Sequence, residues 1–359
     1  MIRIGITHGD VNGIGYEMIL KVFSDSRVSE LFTPVLYGSS KIAAYHRKTM
    51  EMQNIGLYAI DQASDAVPNR VNIINCIEDE VKVELGRYTS ESGNAALLSL
   101  ERAVKDINGG LIDAIVTSPA IINEVQKNGI KYSGQTALIE ASVEKNNESL
   151  GILVKDNLRI ALVTGNIPLS EVSNQLTEEL IFKKLSDLKC SLIRDFAVSA
   201  PRIAVLSLNP NITPENPGKE ETEQIIPAMD LASKSGIFCF GPYAPDEFFG
   251  SGHYTKFDGI LAMYHDQGLV PFKTLAAEEG VYFSASLPIV RTAPNMGPSF
   301  DIAGQNNASE IALLNSIYLA IDILKNRKTD DEINSNPLKK HYYEKGSDNE
   351  KLDLTSDNL

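Results

Sequence analysis

Short runs of apolar, often β-branched residues alternate with segments of helical periodicity along most of this chain. Residues 2–7, 111–117, 159–164, 202–207 and 257–263 have the length and composition of buried strands. Apolar residues at helical spacing indicate amphipathic helices over residues 93–107, 178–192 and 220–232. This alternation predicts an α/β protein in which helices cover open, mainly parallel sheets. None of the apolar runs approaches the roughly 20 residues that cross a bilayer.

The length of 359 residues suits one large α/β unit or two domains. From residue 326 onward the composition becomes rich in Lys, Asp, Glu and Asn, and Pro337 interrupts the segment. We therefore predict one folded unit over residues 1–325 and a polar C-terminal extension over residues 326–359 that is partly ordered.

The formal net charge of -14 at pH 7 argues against nucleic acid or an anionic membrane as a partner bound through the overall field. A local basic pocket for a phosphate remains compatible with it. Cys76, Cys190 and Cys239 form no CxxC pair, and the N-terminus lacks a basic segment followed by an apolar one. These features predict reduced thiols and a cytoplasmic protein.

Polar clusters follow the predicted strands, where open α/β sheets bind their ligands. His265 stands beside Asp266 after the last of these strands, so it is a candidate metal ligand or general base. A histidine hydrogen-bonded within a loop is the alternative. Asn166 and Asn211 follow two other strands and, taken alone, are typical of tight turns.

Cations and glycines mark two further candidate sites. Arg291 and Lys273 lie in apolar surroundings, which suits a substrate phosphate or carboxylate, although a surface salt bridge is an alternative for each. The loop from Gly9 to Gly15 joins a strand to a helix and could expose amides to an anion. Its spacing matches neither GxGxxG nor a Walker A motif, and a tight turn explains the glycines equally well.

Longer strings along the chain carry a family resemblance. They are GITHGDVNGIGYE, IVTSPA, YSGQTALIE, ALVTGNIPL, LSLNPN, GKEE, LAMYHDQGLVPFK, LPIVRT and DIAG. In this order they resemble the PdxA family, the 4-hydroxythreonine-4-phosphate dehydrogenases of pyridoxine biosynthesis, from residue 2 to the last helix before the extension. The resemblance implies the fold of the isocitrate and isopropylmalate dehydrogenases. In that fold two interleaved α/β subdomains flank a cleft, the chain forms a homodimer, and there is no Rossmann domain.

The resemblance also implies an activity. Family members oxidise a small phosphorylated hydroxy acid with NAD and a divalent metal such as Zn, Mg, Mn or Co, and the keto acid formed can lose carbon dioxide. Three histidines contributed by both subunits hold the metal. In this sequence the three positions fall on His265, Asn166 and Asn211, so two of the three histidines are asparagines.

Other positions map onto substrate and cofactor contacts of the family. Lys273 and Asp266 are the implied catalytic residues. Substrate contacts map to Gln135, Thr136, Lys273, Tyr282 and Arg291, and cofactor contacts map to Gly297 and Asp301. Gln135 and Met296 replace histidines of the family, Tyr282 replaces an asparagine, and Pro298 removes a backbone donor. These changes leave a second hypothesis open, a catalytically impaired paralogue that binds a phosphorylated ligand without dehydrogenation.

Overall fold

The fold is described from a computed structural model of the chain. The structure describes residues 1–52, 55–77, 81–122, 126–127, 130–143, 148–210, 213 and 217–336. The strands are β1 (Arg3–Thr7), β2 (Thr33–Gly38), β3 (Leu57–Ile60), β4 (Val71–Asn75), β5 (Ala114–Thr117), β6 (Gln126–Lys127), β7 (Ile130–Lys131), β8 (Leu150–Lys155), β9 (Leu158–Leu162), β10 (Arg202–Leu206), β11 (Phe238–Tyr243), β12 (Gly259–Ala262), β13 (Val281–Ala285) and β14 (Val290–Pro294).

Helices connect most of these strands. They are α1 (Gly15–Val22), α2 (Val28–Leu31), α3 (Ser40–Thr49), α4 (Ser90–Asn108), α5 (Gln135–Ser142), α6 (Leu169–Gln175), α7 (Glu178–Arg194), α8 (Ile226–Lys234), α9 (Pro245–Gly250), α10 (His265–Ala276) and α11 (Ile311–Ser335). The helix expected over residues 220–232 begins instead as a π-helical turn, Glu221–Ile225, before α8. None of the helices among the described residues has the length and hydropathy that a membrane-spanning helix requires.

Twelve strands form one sheet in the order β11-β10-β12-β9-β8-β13-β14-β5-β1-β2-β4-β3. Strands β14, β5, β1, β2, β4 and β3 run parallel, and so do β11, β10, β12 and β9. Between these two parallel halves, β8 and β13 pair in antiparallel fashion with each other and with their outer neighbours. Each parallel half corresponds to one α/β subdomain, and the antiparallel strands join the two.

Both faces of the sheet are buried at its inner strands, because successive side chains of a strand point to opposite faces and each face packs in a hydrophobic cluster. On β5, Val116 belongs to one hydrophobic cluster, whereas its neighbour Ile115 belongs to another that includes Leu100 of α4. Helix α11 packs on β14, β5 and β13 and buries Leu313, Ile317 and Ile323 among its apolar residues. Because both faces are covered at the inner strands, β5 and β12 are apolar and buried along most of their length, as expected for a parallel sheet, whereas the edge strands β3 and β11 are partly exposed.

The strand order reverses beside β1. The chain passes from β1 outward through β2 to β3 and β4, and then returns to place β5 on the other side of β1. The amide of Asp10, after β1, donates to the carbonyl of Pro119, after β5, at 2.9 Å. Ligands of open α/β sheets bind outside the carboxyl ends of strands at such a reversal. The topology therefore points to the segments that follow β1 and β5.

Candidate active site

A cavity of about 280 Å³ lies where the two halves of the sheet meet, beyond the carboxyl end of β5. Thr117 and the three residues after it form one wall, the start of α5 a second, and residues 293–298, at the end of β14 and directly after it, a third. The predicted substrate contacts all line this cavity: Gln135, Thr136, Lys273, Tyr282 and Arg291. Gly297, a predicted cofactor contact, lies at its edge. The structure thus brings together six residues that the sequence assigns to substrate or cofactor.

Arg291 is a buried cation that forms no ion pair among the residues the structure describes. Its side chain donates to the hydroxyl of Thr117 from Nε at 3.1 Å and from Nη2 at 2.7 Å. Nη1 donates to the hydroxyls of Thr136 at 3.3 Å and Ser284 at 3.2 Å. Arg291 is 4% exposed, and no carboxylate among the described residues lies within ion-pairing distance. The surface salt bridge considered for Arg291 is therefore not formed among these residues.

Burial has an electrostatic consequence for Arg291. Loss of hydration lowers the pKa of its guanidinium to about 10, so the group stays charged at neutral pH. A buried charge is costly unless it is paired. Neutral hydroxyls orient this guanidinium, and the carboxylate of Glu140 acts on it electrostatically without forming an ion pair, so no described carboxylate contacts the guanidinium directly. An anion such as a phosphate or carboxylate supplies the missing partner.

Three other polar atoms of the cavity wall have no hydrogen-bond partner among the described residues. They are Ser118 Oγ, Gln135 Oε1 and Asn295 Nδ2. The amide nitrogen of Gln135 donates to the carbonyl of Ser118 at 3.0 Å, which fixes the direction of the side chain. An unsatisfied buried polar group costs about 1–3 kcal/mol. A ligand that carries hydroxyl or amino groups besides its anion would satisfy these atoms.

Tyr282 forms the side of the cavity next to Arg291. The guanidinium carbon of Arg291 lies 5.4 Å from the ring centroid, and the phenol is hydrogen-bonded to Thr136. Burial raises the pKa of the Tyr282 phenol, so it remains protonated at neutral pH. A Cβ atom at Gly151, on β8, would lie 2.5 Å from the phenol oxygen. Gly151 is therefore needed to seat this tyrosine, a role that the sequence does not show.

The predicted metal positions lie at the opposite edge of the sheet, because β9 and β12 run antiparallel to β5 and β14. His265 is the first residue of α10, and its Nδ1 lies 2.7 Å from Oδ1 of Asp266. Asn166 is exposed in the loop after β9, and Asn211 lies outside the described residues. Thr164 donates its hydroxyl to the carbonyl of Met263 at 2.8 Å, which joins the segments that carry Asn166 and His265. None of His265, Asp266 and Asn166 lines the cavity of Arg291.

The donor set at this edge does not suit a transition metal. It offers one imidazole, an exposed carboxylate and an amide, and amide oxygen is a ligand for hard cations rather than for zinc-like ions. Among the residues that the structure describes, no group of three or more His, Cys, Asp and Glu side chains is placed to hold a metal ion.

The loop after β14 suits a nucleotide at the mouth of the cavity. Met296 and Gly297 line the cavity, and Asp301 is exposed five residues after Met296. From the surface its carboxylate can accept hydrogen bonds from ribose hydroxyls, and Met296 offers an apolar surface to a base. An exposed carboxylate and an apolar side chain in this loop are chemically compatible with a nucleotide.

The glycine-rich first loop is a structural turn rather than an anion site. The amide of Ile14 at the start of α1 donates to the carbonyl of Pro298 at 3.1 Å, and Gly13 donates to Asp10 at 3.1 Å. A Cβ atom at Gly13 would lie 2.6 Å from the carbonyl oxygen of Pro298. The glycine allows the two loops to touch, so of the two interpretations of this loop the structure favours the tight turn.

A two-part α/β fold with a cationic cavity at a strand-order reversal defines a class of proteins that bind small anionic ligands. Comparison with known proteins identifies the family within that class. The family model described as pyridoxal phosphate biosynthetic protein PdxA matches residues 30–320. The chain belongs to the PdxA family, which confirms the resemblance noted in the sequence.

Relatives match over nearly the whole chain. A 4-hydroxythreonine-4-phosphate dehydrogenase of Bacteroides thetaiotaomicron is 51% identical over 354 residues, covering 98% of this chain and 97% of the relative. One from Aquifex aeolicus is 37% identical over 90% of this chain and 98% of the relative. The crystal structure of 4-hydroxythreonine-4-phosphate dehydrogenase from Klebsiella pneumoniae superposes with a TM-score of 0.78 at 29% identity, covering 90% of this chain and 98% of that one. The predicted isocitrate dehydrogenase-like architecture, which is not a Rossmann domain, is confirmed.

Proposed function

We propose that this chain is an oxidoreductase that oxidises the secondary alcohol of a small phosphorylated hydroxy acid, with 4-hydroxythreonine 4-phosphate as the first substrate to test. The observation that carries the proposal is the buried guanidinium of Arg291, which forms no ion pair among the described residues, inside a cavity of about 280 Å³, in a chain 51% identical to a dehydrogenase of that name. The cavity is of a size for a small metabolite rather than for a polymer.

Different side chains of the cavity bind different chemical groups of the substrate. Arg291 holds one anionic group of the substrate, while the hydroxyls of Thr117, Thr136 and Ser284 keep the guanidinium in a fixed orientation. Lys273, exposed at the cavity wall and without an ion pair among the described residues, adds a second positive charge. Two cations suit a substrate that carries both a phosphate and a carboxylate. Gln135, Ser118 and Asn295 then bind its hydroxyl and amino groups.

NAD, when bound, supplies the acceptor for the hydride that leaves the substrate carbon. Gly297 and Asp301 are the residues proposed to hold it, with Met296 packing against its apolar parts. Oxidation turns the alcohol into a ketone and releases the hydroxyl proton, and a β-keto acid formed in this way can lose carbon dioxide. Asp266, which binds Nδ1 of His265, stays a proposed catalytic residue through its effect on that imidazole.

The test is a turnover assay with the purified full-length chain. NADH formation is followed with 4-hydroxythreonine 4-phosphate and, separately, 4-phosphoerythronate, each with and without added divalent metals. The proposal expects NADH formation with at least one phosphorylated substrate and none with its dephosphorylated form. Tight binding of the phosphorylated compounds without any NADH would overturn the proposal and support the impaired-paralogue hypothesis.

We also propose that the chain works as a cytoplasmic homodimer whose two copies complete each other's sites, as the family resemblance implies. Light scattering on the purified protein should give twice the mass of one 39.2 kDa chain. A monomeric mass combined with full turnover would contradict the shared site.

A further inference from the structure

We infer that the anion site of this family member works without a transition metal: Arg291 binds the phosphorylated ligand, while the edge formed by Asn166, His265 and Asp266 does not hold a zinc-like ion. The inference deepens the proposed function and rests on it for the identity of the ligand. It concerns metal and anion binding, so both are measured without turnover.

The relevant edge is built by three adjacent parallel strands. β9, β12 and β10 are neighbours in the sheet, so the segments after them emerge side by side. Position 166 follows β9, and His265 follows β12. Two asparagines stand where the family resemblance places histidines. A carboxamide presents a neutral oxygen that cannot replace the nitrogen of an imidazole toward a zinc-like ion.

A dimer does not restore the missing ligands. In a symmetric homodimer each shared site receives equivalent positions, so the three mapped positions still supply one imidazole, that of His265. Other histidines of the described chain are engaged elsewhere. His8 and His46 are buried and stack on opposite sides of Tyr16, with ring centroids 5.2 and 5.1 Å away. His253 is exposed in the turn before β12, with its ring 6.4 Å from that of Tyr243.

The free energy of anion binding comes from the contact with Arg291. The guanidinium of Arg291 is buried, charged and held by three hydroxyls before any ligand arrives. Because its desolvation cost is already included in the folded protein, an anion gains a strong charge-assisted contact without further reorganisation. No part of this contact requires a metal ion.

The first measurement is a zinc titration by calorimetry in phosphate-free buffer, on the full chain purified without a polyhistidine tag. Loss of an outer-shell partner alone weakens metal binding by about 10–100-fold, so a direct ligand is worth at least as much. Asn166→His should therefore tighten zinc binding by at least about tenfold. The matched control is Asn157→His, an exposed asparagine just before the other end of β9, which should leave the affinity unchanged.

Elemental analysis of the same preparations accompanies the titration. The unmodified chain is expected to carry zinc far below one ion per chain after dialysis. Stoichiometric zinc in the unmodified chain, or zinc affinity equal to that of Asn166→His, would overturn the inference. Failure of Asn166→His to tighten binding would overturn its geometric premise, that position 166 faces His265.

The second measurement is a titration with inorganic phosphate in the presence of a chelator and again with equimolar zinc. The affinity is expected to agree within about twofold between the two conditions. Phosphate binding that requires the metal would contradict the inference, even if turnover is observed. Conversely, metal-independent phosphate binding with no turnover would leave the inference standing and contradict only the proposed function.

Discussion

At the scale of single residues, the site depends on Arg291, a buried charged side chain that disfavours folding. A buried arginine without an ion pair lowers the free energy of unfolding, because the hydration it loses on folding is not replaced by a contact with an opposite charge. Arg291 is nevertheless held by hydroxyls from three different elements, β5, α5 and β13. Residues that disfavour folding but are held rigidly are typical of functional sites.

Replacing Arg291 should weaken phosphate binding with little change in the free energy of unfolding. We expect Arg291→Met to leave the free energy of unfolding within about 1 kcal/mol of the original, since a buried charge without a partner is removed. Phosphate affinity should fall by at least about tenfold, the worth of a hydrogen bond to a charged group. Urea unfolding and phosphate titration measure the two effects. Arg27→Met, at an exposed ion pair with Asp25, is the control and should change neither.

A buried histidine makes the stability sensitive to acid. Burial lowers the pKa of His8 from 6.5 to about 4, so folding keeps the ring neutral while the unfolded chain takes up a proton. The unfolded state therefore binds more protons below pH 6.5, and stability is lost as the pH falls from 6.5 toward 4. The full loss from this residue is about 3 kcal/mol.

His8→Phe should flatten this part of the pH profile, because phenylalanine can stack on Tyr16 and does not titrate. Free energies of unfolding at about pH 7 and about pH 5 give the comparison, with His253→Phe as an exposed control that should keep the original profile. An unchanged acid sensitivity in His8→Phe would mean that other groups cause it.

At the scale of elements, the cavity depends on pairs of segments that the sequence shows only one at a time. The motifs predicted that Gln135, Thr136, Lys273, Tyr282 and Arg291 belong to one site, and the structure places all of them at one cavity. Thr117 and Ser284 could not be assigned, because their contacts with Arg291 follow from the pairing of β14 with β5 and β13. The pairing of β14 with β5 joins Arg291 to Thr117, 174 positions away, which no local pattern encodes.

Helix α1 illustrates how closely elements approach behind the site. A Cβ atom at Gly15, the first residue of α1, would overlap the carbonyl oxygen of His8 at the end of β1. Gly15→Ala should therefore lower the free energy of unfolding by about 1–3 kcal/mol, even though alanine favours helices. Gly250→Ala, at the last residue of α9 with open space around it, is the matched control and should not destabilise the protein. Equal stabilities of the two variants, measured by urea unfolding, would contradict this packing.

At the scale of the whole molecule, alternating strands and helices predicted the fold class but not the continuity of the sheet. The strands recognised in the sequence belong to both halves, yet the antiparallel pair β8 and β13 that joins them was not among them. The antiparallel strands β8 and β13 reverse the strand direction between the two halves, and no local sequence pattern indicates this reversal. Helix α11 packs on β14, β5 and β13 and also on α7, which contacts β12 of the other half, so the last described helix contacts elements on both sides of the join.

The C-terminal end of helix α11 lies beyond the predicted end of the folded unit. The predicted boundary at residue 325 falls inside α11, which continues to Ser335. Arg327 is buried and bonded through Nε to Asp195 at 2.6 Å, and its Nη1 donates to the carbonyls of Leu287 and Ile289. The first residues of the polar segment therefore tie α11 to the end of α7 and to the turn before β14.

A pair of variants should locate the end of the folded unit. Arg327→Met leaves the buried carboxylate of Asp195 without its partner and should cost about 3–5 kcal/mol of unfolding free energy. A chain shortened to residues 1–336 keeps this ion pair and should unfold at the same urea concentration as the full chain. Loss of stability on shortening would show that residues beyond 336 pack on the body, whereas a neutral Arg327→Met would mean that α11 is held by its apolar face alone.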